Sequence, residues 1–362
     1  MAKKIGIVTW YHKGYNFGST LQAYSTQMVL EQMGYDAELI NYSSDKRKLK
    51  KNIKDFGKKI YLRITKPNVH RAWVKMDKWI NSNLNVSGNY DSWEKLKKNA
   101  GRYDATICGS DQIWRSHKDG IIDPFYFLQF ISEEKRIAYA PSIARDYIDE
   151  RIVDEFTAYV KEIRHLSIRE KQGAELLKKV TGRDAKVVLD PTLLLTKDQW
   201  EKQLENKESY KKDYIFCYLL TKNEQYYQEV LEVAKNEKLE VITPAIFSNC
   251  YNDSIPLDSF DFLNLIKGAK FVVTDSFHGV AFSISFKKRF AAYKRFPDSY
   301  KKSQNSRIYN ILDELQIRER LVDNNSLQLI LNKEINFQEV DKLLNKMRRD
   351  SLRYLEDSLS NI

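Results

Sequence analysis

Four short segments of the sequence bring together side chains able to bind an anion or carry a proton. Gly14-Tyr15-Asn16-Phe17-Gly18-Ser19-Thr20 offers glycines for a tight turn and a helix start whose N–H groups attract negative charge. Its spacing is not the G-x-G-x-x-G of a dinucleotide turn, so Gly14, Asn16 and Gly18 serve either an anion or a plain strand-to-helix turn. Gly109-Ser110-Asp111-Gln112-Ile113-Trp114 carries a carboxylate, Asp111, that can accept a hydroxyl proton, with Trp114 as a stacking face or a core residue. A Ser-Asp pair capping a following helix is the competing reading. Arg169 has five donors in a fixed fork suited to phosphate or carboxylate, or else pairs with Glu170 or another local acid. In Thr274-Asp275-Ser276-Phe277-His278-Gly279, Asp275 or Ser276 caps a helix and His278 stands on its first turn. The helix end lowers an imidazole pKa and a bound anion raises it, which suits a proton donor near neutral pH.

Each segment follows a stretch that reads as a strand, where open α/β sheets bind their ligands. Lys4 to Trp10 is a short β-branched run, Thr20 to Gly34 has helical spacing with Gly34 as a stop, and DAELINY returns as a strand. Strand patterns recur at Tyr103–Asp111, Arg136–Ala144 and Leu166 onward, the last passing into a helix that stops at Gly182. The run Lys186–Leu195 is broken by Asp190-Pro191, read as a crossing between halves. Strands then appear at Tyr214–Leu220, Val241–Phe247, the FVVT run and Arg289–Lys294, with Lys294 closing the last, and Glu339–Asn361 is helical by pattern. The expected fold is α/β, with two Rossmann-like domains whose sheets are mostly parallel. The domains are an N-terminal one over 1–185 with a basic helical insertion at 46–80, a C-terminal one over 186–335, and a closing helix over 336–362 that packs back on the first.

The chain has 362 residues, 42% of them hydrophobic, enough for two domains at about 100–200 residues each and too apolar for disorder. Net charge is +11, and the segment Lys46–Lys78 alone carries thirteen Lys/Arg against Asp55 and Asp77. Within it Ile53, Phe56, Ile60, Tyr61 and Ile64 recur at helical steps. Such a stripe either packs on the body of the protein or lies on an anionic membrane or polymer. Aromatic platforms among these charges are sparse, so nucleic acid is not expected. Cys108, Cys217 and Cys250 are odd in number and far apart, as in a reduced cytoplasmic protein without disulfides or a zinc site. The N-terminal stretch lacks a small-residue cleavage site and no apolar run reaches about 18 residues, so neither a signal peptide nor a membrane span is expected.

Taken together, the segments resemble the polysaccharide pyruvyl transferase family. The resemblance rests on GYNFGSTLQAYS, CGSDQIW, LSIREKQGAELL, VVLDPTLLL, VVTDSFHGVAFSI and the later Asn305–Ile308, NSRI, and so spans most of the chain. It implies two domains arranged as in GT-B glycosyltransferases, the first on the acceptor side and the second on the donor side. The implied activity moves the pyruvyl group of phosphoenolpyruvate onto a saccharide as a cyclic ketal, in cell-surface polysaccharide biosynthesis. By resemblance, Arg169 and His278 fall on the family's donor-binding arginine and its histidine. Lys294 falls near a further basic residue, for which Arg295 is an equal candidate. Gly14, Asn16 and Gly18 of the first turn, and Ser276 and Gly279 of the last, complete the expected substrate-binding set. His278 would protonate the vinyl carbon and Asp111 would accept hydroxyl protons; no cofactor and no metal is implied. Many relatives carry an arginine just before the histidine, where this chain has Ser-Phe-His-Gly, and the insertion at 46–80 is unusually basic. The implied partners are phosphoenolpyruvate and a saccharide acceptor, lipid-linked or nucleotide-linked. The implied place is the cytoplasm or the inner face of the membrane, with 46–78 as the contact. Two other readings stand beside this one: a GT-B glycosyltransferase using a nucleotide sugar, and a non-enzymatic binder of anionic polymer.

Overall fold

The computed structural model describes residues 2–11, 15–43, 57–115, 120–246, 251, 253–297, 300, 305–323 and 325–360. Gly14, Cys250 and residues 46–56 of the basic segment therefore lie outside the described residues.

Short apolar runs build the first sheet: β1 (Lys4–Val8), β2 (Asp36–Leu39), β3 (Ala105–Cys108), β4 (Arg136–Ala138), β5 (His165–Ile168) and β6 (Lys186–Val187). Their order is β2-β1-β3-β4-β5-β6, and every pairing is parallel. β3 is buried at every position, as a strand covered on both faces must be. The second sheet comprises β7 (Tyr214–Tyr218), β8 (Glu240–Ile242), β9 (Phe271–Thr274) and β10 (Arg289–Ala292), in the order β10-β9-β7-β8, again all parallel. Parallel strands direct all their carboxyl ends to one edge, so the polar residues after each strand gather there.

β6 pairs with β5, so a boundary at 185/186 falls inside the first sheet. The chain crosses between the halves one step later. Pro191, having no N–H, cannot continue a ladder, and Asp190 caps the short Pro191–Leu193 turn by accepting from Thr192 N.

α1 (Phe17–Gln32) lies between the two halves and is buried almost all round. Phe17 stacks on Phe262, ring centroids 4.6 Å apart, and Thr20 Oγ1 lies 2.7 Å from Ser259 Oγ on α9 (Ser259–Gly268) of the second half. A helix sandwiched in this way must satisfy its polar groups internally. Gln22 does so by donating to Trp10 O at 2.8 Å and Thr9 Oγ1 at 2.9 Å. The buried apolar cluster runs without interruption from Ile5 in the first half to Phe290 in the second.

Residues 57–65 form a helix, α2, which ends at Lys66 because the following Pro67 disfavours helical geometry in its predecessor. Lys66 has φ −141° and ψ 66°, and Pro67 opens α3 (Pro67–Asn83) at the position where its missing N–H costs nothing. The described part of the basic insertion is thus two helices. The C-terminal helix, α13 (Phe337–Leu359), returns to the first half. Tyr354 Oη donates to Ala138 O at 3.0 Å, and Ser351 Oγ accepts from Leu189 N at 2.9 Å.

Candidate active site

The carboxyl ends of β3, β5, β6 and β9 meet around one buried carboxylate, Asp190, which is 1% exposed. Its Oδ2 accepts from Arg169 Nη1 at 2.7 Å, lies 3.0 Å from Ser110 Oγ and stands 3.7 Å from His278 Nε2. Its Oδ1 accepts from Thr192 N at 3.0 Å and Thr192 Oγ1 at 2.7 Å. Burial pushes this carboxyl up, but His278, Arg169 and Thr192 outweigh it and hold the group well below the ordinary carboxylate range. Arg169 and His278, from different halves of the chain, therefore converge on the same oxygen atom.

Arg169 is itself buried, donating from Nε to Glu170 Oε1 at 3.0 Å and lying over the Phe277 ring at 4.7 Å. Its Nη2 has no hydrogen-bond partner among the described residues, and neither does His278 Nε2. The other side of the imidazole is sealed. An added Cβ on Gly18 would come within 2.0 Å of His278 Nδ1, so only glycine lets α1 approach this closely. Nε2 is thus the nitrogen left to work.

On the His278 side lies a small polar cleft of about 50 Å³, with Asn16, Asp111 and Gln112 on one wall and Asp275, Arg295 and Arg307 on the other. On the Arg169 side lies a larger cavity of about 440 Å³. It is bounded by Val187–Asp190, by Asn310 and Ile311 on α11 (Ser306–Glu314), and by Leu343 and Met347 on α13. Arg307 and Phe277 belong to both. Burial, and then the Arg169 charge beside it, pushes the Arg307 guanidinium down to about 10, with Arg295 adding further repulsion. A concentration of cations held at such a cost favours an anionic ligand. Asp275 shows the converse effect. Burial pushes its carboxyl up to about 6, although Leu220 N at 2.6 Å and Thr221 N at 3.2 Å both donate to it.

The sequence-expected residues divide accordingly. Asn16 caps α1, its Oδ1 accepting from Gly18 N at 2.8 Å and Ser19 N at 3.3 Å, so those amides are already used and Asn16 itself lines the cleft. Gly18 provides the close approach to His278 described above. Asp111 lines the cleft with φ 63°, its Oδ2 accepting from Ser19 Oγ at 2.5 Å. It caps no helix, since residues 111–115 form turns. Trp114 is core, 1% exposed and stacked on Phe127. Ser276 caps α10 (Phe277–Ser285) by accepting from Gly279 N at 3.4 Å, and Gly279 is required by its approach to Thr274. Arg295 lines the cleft and donates to Thr221 Oγ1 at 3.1 Å. Lys294, by contrast, turns its ammonium to Asp323 at 2.8 Å and lines neither cavity.

Sequence reasoning missed Asp190, Asp275, Asn305 and Arg307. Asp190 was visible only as a break in an apolar run, and Asp275 as one of two candidate caps. Arg307 sits in the NSRI segment, where an arginine followed by isoleucine gives no sign of facing a cavity. Asn305 fixes the strand-end loop, accepting from Arg295 N at 3.1 Å and donating to Phe296 O at 2.7 Å.

The profile of the polysaccharide pyruvyl transferase family matches residues 16–295, an interval that includes Asn16, Asp111, Arg169, Asp190, His278 and Arg295. The chain belongs to this family. Arg307 and Asn305 lie just beyond the matched interval. A search of the curated proteins finds no match. Among solved structures, the chain is similar to the UDP-GlcNAc 2-epimerase of Neisseria meningitidis bound to UDP-GlcNAc, with TM-score 0.53, 9% identity and coverage of 99% and 100% of the two chains. It is also similar to Arabidopsis thaliana UGT89C1 complexed with UDP-L-rhamnose, with TM-score 0.52, 9% identity and 98% coverage of each chain. A putative UDP-N-acetylglucosamine 2-epimerase from Listeria monocytogenes matches at TM-score 0.51 and 11% identity, over 98% of this chain and 90% of its own. At these identities the likeness is one of fold: two parallel α/β halves of GT-B type around a cleft.

Proposed function

We propose that this member of a transferase family moves the pyruvyl group of phosphoenolpyruvate onto a saccharide. The observation that carries the reading is the pair of arginines, Arg295 and Arg307, lining with His278 a polar cleft too small for a sugar. Phosphoenolpyruvate bears a phosphate and a carboxylate, and two guanidiniums match two anionic groups. At about 50 Å³ the cleft holds a few waters or the charged end of a small ligand. The saccharide would take the larger cavity, whose 440 Å³ falls within the range of small-molecule sites and which meets the cleft at Phe277 and Arg307. Its aliphatic floor suits the C–H faces of a sugar ring, and Asn310, Glu314 and Asp350 can bond hydroxyls.

In this scheme His278 Nε2–H donates its proton to the vinyl carbon, and a sugar hydroxyl adds at C2 as its proton passes to a carboxylate. Two carboxylates line the cleft for that role: Asp111, and Asp275 with its carboxyl near 6. Phosphate then departs with the C2–O electron pair toward the arginines, and a second hydroxyl closes the ketal as its proton passes to the imidazole that gave one up. Asp190 takes no proton from either substrate in this scheme. It positions His278 and Arg169. The test is phosphate release from phosphoenolpyruvate in the presence of candidate saccharides, with product mass as a second readout. Release that requires the saccharide supports the reading; nucleotide-sugar turnover without phosphoenolpyruvate consumption refutes it.

A further inference from the structure

Nine large apolar side chains are exposed among the described residues, and four of them, Ile60, Tyr61, Ile64 and Val74, fall within one short stretch. Ile60 is 47% exposed, Tyr61 53%, Ile64 76% and Val74 56%, while Leu62 between them is fully buried. At about 100° per residue, Ile60, Ile64 and Tyr61 share one face of α2 and Leu62 lies opposite. Lys59 and Arg63 flank that face on one side and Lys58 on the other. Of the expected stripe, Ile60, Tyr61 and Ile64 point away from the body of the protein, while Ile53 and Phe56 lie outside the described residues.

The helix is also held in place beforehand. Leu62 packs in a cluster with Val69, Ala72, Trp73 and Ala245, and Lys59 pairs with Asp77 on α3 at 3.3 Å. Asn68 at the start of α3 donates to Ser254 O at 2.9 Å, and Lys75 pairs with Asp261 at 3.0 Å, so the α2–α3 hairpin is tied to the second half. A partner thus meets an apolar face without having to order it.

We propose that the α2–α3 hairpin docks this protein peripherally on an anionic lipid bilayer. Aliphatic side chains flanked by cations match the acyl boundary and the anionic headgroups together, the two components such a surface offers. A nucleic acid would use the charge and leave Ile60 and Ile64 in water. A second copy of this chain would bring a like charge, since residues 57–78 hold seven Lys/Arg against Asp77 alone. This contact goes beyond the pyruvyl transfer reading and does not rest on it. The two meet only in geometry: Trp73 on α3 stacks on Tyr15 at 4.4 Å, next to Asn16 of the cleft, so docking would bring that edge of the cleft toward the lipid.

The experiment is flotation of the full chain with vesicles of phosphatidylglycerol and phosphatidylcholine, against phosphatidylcholine alone, at about 0.1 M and about 0.5 M salt. The expected result is partition to the anionic vesicles that weakens with salt. It should fall on the order of tenfold for Ile60→Asp combined with Ile64→Asp, and by less for Lys59→Gln with Arg63→Gln. Leu329→Asp, altering a residue 65% exposed elsewhere, should leave partition unchanged. Since Ile64 is mostly exposed, the variants should keep the wild-type melting temperature, which is measured alongside. Equal partition to both vesicle types, or anionic partition indifferent to the two aspartates, overturns the proposal. So does tighter binding to a single-stranded RNA probe that ignores Ile60 and Ile64. None of these outcomes depends on turnover, so the docking surface and the transferase reading can fail separately.

Discussion

Gly18→Ala inserts one methyl group between the two halves of the molecule, directly against the His278 imidazole. The new Cβ would lie 2.0 Å from His278 Nδ1, 2.5 Å from Cγ and 2.6 Å from Cε1, against an ordinary contact of at least 3.4 Å. The imidazole or the α1 backbone must therefore move by roughly 1.4 Å, and overpacking of this kind costs about 1–3 kcal/mol. Because Nε2 is on the far side of the same ring, the shift also displaces it relative to Asp190, now 3.7 Å away. A misplacement of about 1 Å in a reacting group costs on the order of a hundredfold in rate. The assay pairs thermal unfolding with saccharide-dependent phosphate release. The expected outcome is a modest loss of melting temperature together with a hundredfold loss of kcat. Gly34→Ala is the control, since Gly34 has φ +88° but nothing within 4 Å, so it should lose stability through backbone strain alone and keep kcat. A folded Gly18→Ala protein with wild-type kcat would refute the assignment of His278 as the proton donor.

Three further outcomes follow from the same geometry. Asp275 has a carboxyl raised from 3.8 to about 6, so its protonated form is favoured in the folded protein, and its contribution to stability is complete below pH about 4 and lost as pH rises through about 6. Asp275→Asn should therefore gain stability relative to wild type between pH 4 and pH 7, by up to roughly 3 kcal/mol, less whatever the amide loses facing Thr221 N; parallel pH–stability curves would show the shift is not real. Asp190→Ala strips one of two carboxylate partners from a buried guanidinium, leaving Glu170, so the loss should reach at most about 3–5 kcal/mol, the cost of a broken buried pair; chemical denaturation should show it, and Asp190→Asn, which keeps the shape, should depress kcat with little change in KM for phosphoenolpyruvate. Arg307→Gln removes a cation held at a cost, so the unliganded protein should melt at the same or a higher temperature while losing the stabilisation phosphoenolpyruvate confers. Melting well below wild type would contradict the repulsion inferred at that residue.

The sheet architecture was legible because each parallel strand is a short apolar run, and because Gly34 and Gly182 mark helix ends with positive φ. The chemistry at strand ends was legible for the same reason: Arg169, His278 and Asp111 each follow such a run. Depth within the site was not. Arg169 reads either as a clamp or as the partner of Glu170, and it makes that pair, yet the second carboxylate that engages it, Asp190, comes from the crossing segment, and pairing across such distances leaves no local trace. Choosing between Lys294 and Arg295 required the position of Asp323, which draws the lysine away. The apolar stripe of the basic segment was visible by periodicity, but periodicity gives a helix a face without saying whether the face is covered. The break at Lys66-Pro67 was present in the sequence, where proline restricts the residue before it.

The most direct test of the site is calorimetric titration of phosphoenolpyruvate into the wild-type protein and into Arg307→Gln. Saturable binding by wild type that weakens at least about tenfold in the variant is the predicted result, one guanidinium–anion contact being worth roughly 1.5–3 kcal/mol. No binding by wild type, or equal affinity in both proteins, would mean that the arginine-lined cleft is not where the donor sits.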